Sequence, residues 1–107
     1  MEKILNKIIG ERIKAGRTEK GLKQTDLAQT IDSTPASISN IENGLQTVQL
    51  IDLYKIAQRL DKEVYHFLPN LKEFKEAVPS IDKERGKLSP GEAAFVDSLR
   101  KGITKEE

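Results

Sequence analysis

Helix punctuation at positions 21, 32–35 and 44 limits what the first two thirds of this chain is able to build. A glycine just past a helix end takes the left-handed conformation that other residues adopt only at a cost, so Gly21 and Gly44 each read as a stop. Between them Asp32 and Ser33 break a segment, and Thr34-Pro35 starts the next with a hydroxyl N-cap and a proline whose φ is preset for the first helical position. Only short helices fit between such signals. Ile4, Ile8, Ile9 and Ile13 line one side of a first helix running toward Gly21. Leu27, Ala28 and Ile31 form the buried face of a second, Gln24 to Ile31, and Ile38 and Ile41 that of a third, Pro35 to Asn43. Leu50, Leu53, Ala57 and Leu60 mark a fourth, and Val64, Phe67 and Leu68 make a last apolar turn before Pro69. With no alternating strand pattern and no internal repeat, the expectation is an all-α domain of five short helices over residues 1–68.

The remaining residues, 69–107, change character, with Pro79, Gly86, Pro90 and Gly91 punctuating a charged sequence, and are expected to be partly mobile. Ser89, Pro90 and Glu92 combine an N-cap, an N1 proline and the N3 acid of a capping box ahead of Phe95, Val96 and Leu99 on one face. This predicts a helix from Ser89 to Lys101. A helix of this kind outside a complete domain either packs back on it or pairs through those three residues with another chain, a second copy or a regulatory protein.

Composition removes several function classes. No cysteine and a single histidine, His66, exclude disulfides, a thiolate nucleophile and the common zinc sites, so no metal and no cofactor are expected. His66, Tyr54, Tyr65 and the scattered carboxylates show no converging acid, base or nucleophile, which makes an enzyme the weakest reading. No apolar run approaches the roughly 20 residues that span a bilayer, and MEKILNKII lacks the pattern of a secretory signal. The protein is therefore expected in the cytoplasm, away from membranes. The formal charge is only +1, but it is unevenly spread: residues 1–23 carry seven cations against three anions, residues 24–68 three against six, and the tail balances. A near-neutral total leaves a polyanion partner possible, because the local potential on one face governs association.

Two short helices joined by a tight turn, with the small Ala28 in the first and the apolar Ile38 in the second, make the helix-turn-helix pattern. Ala28 lets the helices approach closely while Ile38 anchors the second. From about Ile9 to Leu68 the sequence resembles the Cro and phage-repressor (Xre) family: IGERI ahead of Arg17, then QTDLA, ISNIENG and LYKIAQRL, in that family's order and spacing. The resemblance implies a five-helix lambda-repressor-like DNA-binding domain whose third helix enters the major groove. It implies a partly buried ion pair between Arg17 and Glu42, and a phosphate contact by Gln24 at a helix start, where free amides favour anions. The exposed first turns of the third helix, Pro35, Ala36, Ser37, Ser39 and Asn40, are then the expected base readers, with Asn40 first because its amide can bond bidentately to adenine. Lys23, Thr34, Asn43, Gln46 and Thr47 join Gln24 as expected phosphate contacts.

The chain departs from the family pattern in three places. Asp32 stands where glycine is usual, Lys23 stands where an N-capping residue is usual and forgoes roughly 1 kcal/mol of capping, and neither the third helix nor Leu45-Gln46-Thr47 carries a Lys or Arg. Fewer phosphate contacts mean weaker monomer binding and a shallower salt dependence, so dimerisation or a co-operating partner becomes more necessary. The expected function is a sequence-specific double-stranded DNA-binding regulator, more readily a repressor, that binds an inverted repeat as a homodimer. The alternative is a protein-interaction module of the same fold, antitoxin- or antirepressor-like, motivated by the uncharged third helix.

Overall fold

The computed structural model describes residues 2–77 and 88–106, with side chains through Leu99. All regular structure among them is helical: α1 (Glu2–Glu19), α2 (Gln24–Thr30), α3 (Pro35–Glu42), α4 (Leu50–Arg59), a 3-10 turn (Val64–Phe67), α5 (Leu71–Glu76) and α6 (Pro90–Glu106). The chain divides into two compact units, Glu2–Leu68 and Pro69–Glu107.

In the first unit the stops lie where the sequence puts them. Past the end of α1, Gly21 adopts φ +69°, its N–H reaches the Thr18 carbonyl and the Leu22 N–H reaches that of Arg17, both at 3.0 Å. Asp32 turns the chain at φ +52°, so an aspartate does serve at the position where glycine is usual. Thr34 caps α3 through its hydroxyl, which accepts from the Ser37 N–H at 3.1 Å. Ends differ by one residue from expectation: Ile31 and Asn43 lie just past their helices as C-caps. The last apolar turn winds as a four-residue 3-10 helix, because Pro69 forces Leu68 into extended backbone (φ −103°, ψ 132°) and leaves no room for a full α-turn.

The core of this unit joins Ile9 and Ile13 of α1, Leu27, Ala28 and Ile31 of the α2 segment, Ile38 and Ile41 of α3, Leu53, Ile56, Ala57 and Leu60 of the α4 segment, and Phe67. Each large aliphatic side chain removed from water contributes about 1.5 to 3 kcal/mol, which holds the short helices that their own propensity would not. Contact between α1 and α3 is close enough to need glycine: a Cβ on Gly10 would stand 2.1 Å from the Ile41 carbonyl oxygen. That approach ties the orientation of α3 to α1.

The second unit holds two described helices where the sequence reading found one. Helix α5 begins with a capping box that went unread: Asn70 Oδ1 accepts from the Glu73 N–H at 2.8 Å, and the Glu73 carboxylate accepts from the Asn70 N–H at 3.0 Å. Helix α6 starts as its sequence predicts, with the same reciprocal pair between Ser89 and Glu92 at 3.2 and 3.1 Å, and it continues past Lys101 to Glu106. No proline follows Lys101, and the interior Gly102 weakens a helix by only about 1 kcal/mol. The two helices pack together, burying Phe74, Val96 and Leu99. The expected mobility of 69–107 falls in part on residues 78–87, which lie outside the described residues.

Candidate nucleic-acid interface

The N-terminal half of α3 presents its polar residues outward. Pro35, Ala36 and Asn40 are exposed and Ser37 and Ser39 half-buried, while Ile38 and Ile41, one turn apart on the opposite face, sit in the core. All five expected base readers thus lie on or beside one accessible face of a single helix.

The orientation of that helix is set from its far end. Glu42, the only charged residue among the described ones that is buried, accepts from Arg17 Nε at 2.6 Å and Nη2 at 3.1 Å, a bidentate fork of the kind guanidinium and carboxylate form best. Arg17 Nη1 also donates to the Leu22 carbonyl at 2.8 Å, so one side chain binds the end of α1, the following loop and α3. The ion pair implied by family resemblance is present, with side-chain exposures of 14% for Arg17 and 2% for Glu42. Gln24 joins it: its amide Nε2 donates to Glu42 Oε1 at 3.1 Å. An amide nitrogen carries two hydrogens, so one remains for an outside acceptor. At the start of α2 the Lys23 side chain provides no cap, yet Asp26 accepts from the Lys23 N–H at 2.7 Å and recovers part of what a polar N-cap would supply.

Two pairs of the other expected contact residues bond to each other. Gln46 Nε2 donates to Ser37 Oγ at 2.8 Å, and Asn43 Nδ2 makes a long bond, 3.4 Å, to Ser39 Oγ. Thr47 is doubly engaged: its hydroxyl oxygen accepts from Asn6 Nδ2 and its proton goes to the Glu2 carboxylate, both at 3.0 Å. Asn43, Gln46 and Thr47 are all exposed. Sequence reasoning missed Glu2 and Asn6 as neighbours of this loop, since only the helix-to-loop packing brings residues some forty positions apart together.

Phe95, Val96 and Leu99 all lie on α6 but are not equivalent. Val96 and Leu99 are buried, whereas Phe95 is 44% exposed and stands 6.4 Å from Phe74, centroid to centroid. His66, on the 3-10 turn, is exposed and meets Phe67 edge-on. Among the described residues no group of three metal-ligating side chains occurs, and no helix is long and apolar enough to cross a membrane.

Comparison with known proteins places this geometry. The helix-turn-helix family model HTH_3 matches residues 13–67, leaving the first turns of α1 ahead of the match. The transcriptional regulator SinR of Bacillus subtilis is 34% identical over 101 residues, covering 94% of this chain and 85% of SinR. An HTH-type transcriptional regulator of Rickettsia prowazekii, RP497, is 29% identical over 75 residues, and the match spans only 58% of that protein. Among solved structures, the restriction-modification controller protein C.AhdI of Aeromonas hydrophila superposes with a TM-score of 0.55 at 30% identity, over 59% of this chain and 96% of the controller.

Proposed function

Because the chain belongs to the HTH_3 helix-turn-helix family of DNA-binding transcription regulators, we propose that it is a repressor that binds an inverted-repeat operator as a homodimer. The observation that carries this reading is the exposed polar face of α3, anchored at one end by the Thr34 cap and at the other by the Arg17–Glu42 fork. Asn40 is the principal base reader, with Ser37, Ser39, Pro35 and Ala36 around it; adenine edges and thymine methyls suit an amide and a small apolar side chain. Phosphates are met by Thr34, Asn43, Gln46, Thr47, Lys23 and the second amide hydrogen of Gln24. DNA replaces the Gln46–Ser37 and Asn43–Ser39 bonds rather than adding to a bare surface.

A dimer places two recognition helices about one DNA turn, ~34 Å, apart. The tail unit supplies the contact between copies through the exposed Phe95, since Val96 and Leu99 are already buried within their own chain. Docking of a regulatory protein would use the same residue.

Selection of duplexes from a random library by the full chain, beside the Ser39→Ala/Asn40→Ala variant, tests the reading. The expected result is an enriched inverted repeat that the variant no longer prefers. Enrichment of nothing, with only weak binding erased by salt, would replace it with the protein-interaction module that an α3 without cations also fits.

A further inference from the structure

Helix α1 starts at Glu2, well ahead of the family match, and its extra turns run beside the loop that follows α3. Three contacts fasten them there. Asn6 donates to Thr47, Thr47 donates to Glu2, and the backbone of Lys7 lies so close to Gly44 that a Cβ at position 44 would be 2.8 Å from the Lys7 Cα. The loop has no cation of its own and neither has α3, yet Lys3 and Lys7 are both exposed and neither is ion-paired among the described residues. Four positions apart, they share one face of α1 about 6 Å from each other along its axis.

We propose that Lys3 and Lys7 form an auxiliary binding surface for DNA phosphates that flank the base pairs read by α3, supplying the charge that residues 45–47 lack. This rests on the reading that α3 binds DNA. An ammonium is a compact point charge on a flexible stem, suited to a phosphate whose exact position varies with sequence. Contacts of this type add affinity and salt dependence but carry no base preference. Glu2 sits in the same turns and its carboxylate works against the two lysines, so the pair and Glu2 have opposite signs of effect.

The experiment measures affinity against salt concentration for the full chain on its selected duplex. The variants are Lys3→Ala/Lys7→Ala, Glu2→Gln, and Lys55→Ala/Arg59→Ala, which takes the same net charge from α4. Each phosphate contact contributes about 0.9 to the slope of log K on log salt, so loss of two from each copy, four in the dimer, lowers it by about 3.6. Between ~50 and ~200 mM salt the wild-type dimer should therefore lose on the order of a hundredfold more affinity than the Lys3/Lys7 variant. The selected sequence should stay the same, Glu2→Gln should bind more tightly, and the Lys55/Arg59 variant should keep the wild-type slope. On a duplex trimmed to the base pairs that α3 reads, the Lys3/Lys7 effect should vanish. An unchanged slope, or an equal change in the Lys55/Arg59 variant, overturns the inference while leaving Asn40-dependent binding intact. A wild type that selects no duplex overturns both readings.

Discussion

Glu42 shows how one buried side chain determines the presentation of a surface it does not belong to. Its carboxylate takes three hydrogen bonds, two from Arg17 and one from Gln24, and thereby connects α1, α2 and α3. Removing one partner of such a pair leaves the other charge without compensation, so Arg17→Ala is expected to lower unfolding free energy by about 3 to 5 kcal/mol, measured by urea titration. Gly44 makes a second residue-scale prediction. It combines φ +75° with no room for a Cβ against Lys7, so Gly44→Ala should destabilise by more than about 1 kcal/mol, with hydrogen exchange speeding first in the first turns of α1 and the loop after α3. Its left-handed conformation is legible in the sequence as a helix stop; its contact with Lys7 is not, because a spacing of more than thirty residues carries no local signal.

Among elements, α3 and α5 are both started by a side-chain oxygen, but the sequence reading recognised only the start of α3. Thr34→Ala should remove about 1 kcal/mol of stability and, on the proposed reading that the first turn of α3 meets bases, weaken operator binding further. Circular dichroism melts and binding titrations on the same samples separate the two effects. The missed helix α5 carried Asn70 and Glu73 in capping-box spacing, but only six helical residues follow, too few for apolar periodicity to stand out. Where α1 and α4 end, Lys20 pairs with Asp61, and this hydrogen bond and charge hold the Asp61 carboxyl below its ordinary value of 3.8. A depressed carboxylate stabilises the native state above the unfolded pKa and loses that contribution as pH falls through its native value. Asp61→Asn should therefore be slightly less stable than wild type at neutral pH, with the difference disappearing on acidification below 3.8, as followed by thermal melts across pH.

For the whole molecule, the chain divides into Glu2–Leu68, which holds the helix-turn-helix, and Pro69–Glu107; under the proposed function the first reads DNA and the second holds the copies together. If the second unit holds two copies together, Phe95→Asp should shift the sedimenting species from dimer to monomer while leaving the helical content of the first unit unchanged. Operator affinity should then fall and become steeply dependent on protein concentration. Leu99→Asp is a poorer probe, since Leu99 is buried and a charge there unfolds the unit before it tests any contact.

The amino-acid sequence by itself determined the helical class, the order of the elements through Leu68 and the outward face of α3. These follow from local chemistry: glycine stops, a Thr-Pro start and apolar residues at a helical spacing, each acting within a few positions. It also carried the Arg17–Glu42 pair, though only through resemblance to a family, since nothing in a charge at one position names its partner 25 residues on. Tertiary structure alone decided that Gln24 joins that pair, that Thr47 lies between Asn6 and Glu2, and that Val96 and Leu99 turn inward while Phe95 stays at the surface. Each of these depends on how closely two helices approach. That distance is set by the sum of all core contacts and by single close fits such as Gly10 against Ile41, and no short stretch of sequence encodes such a sum.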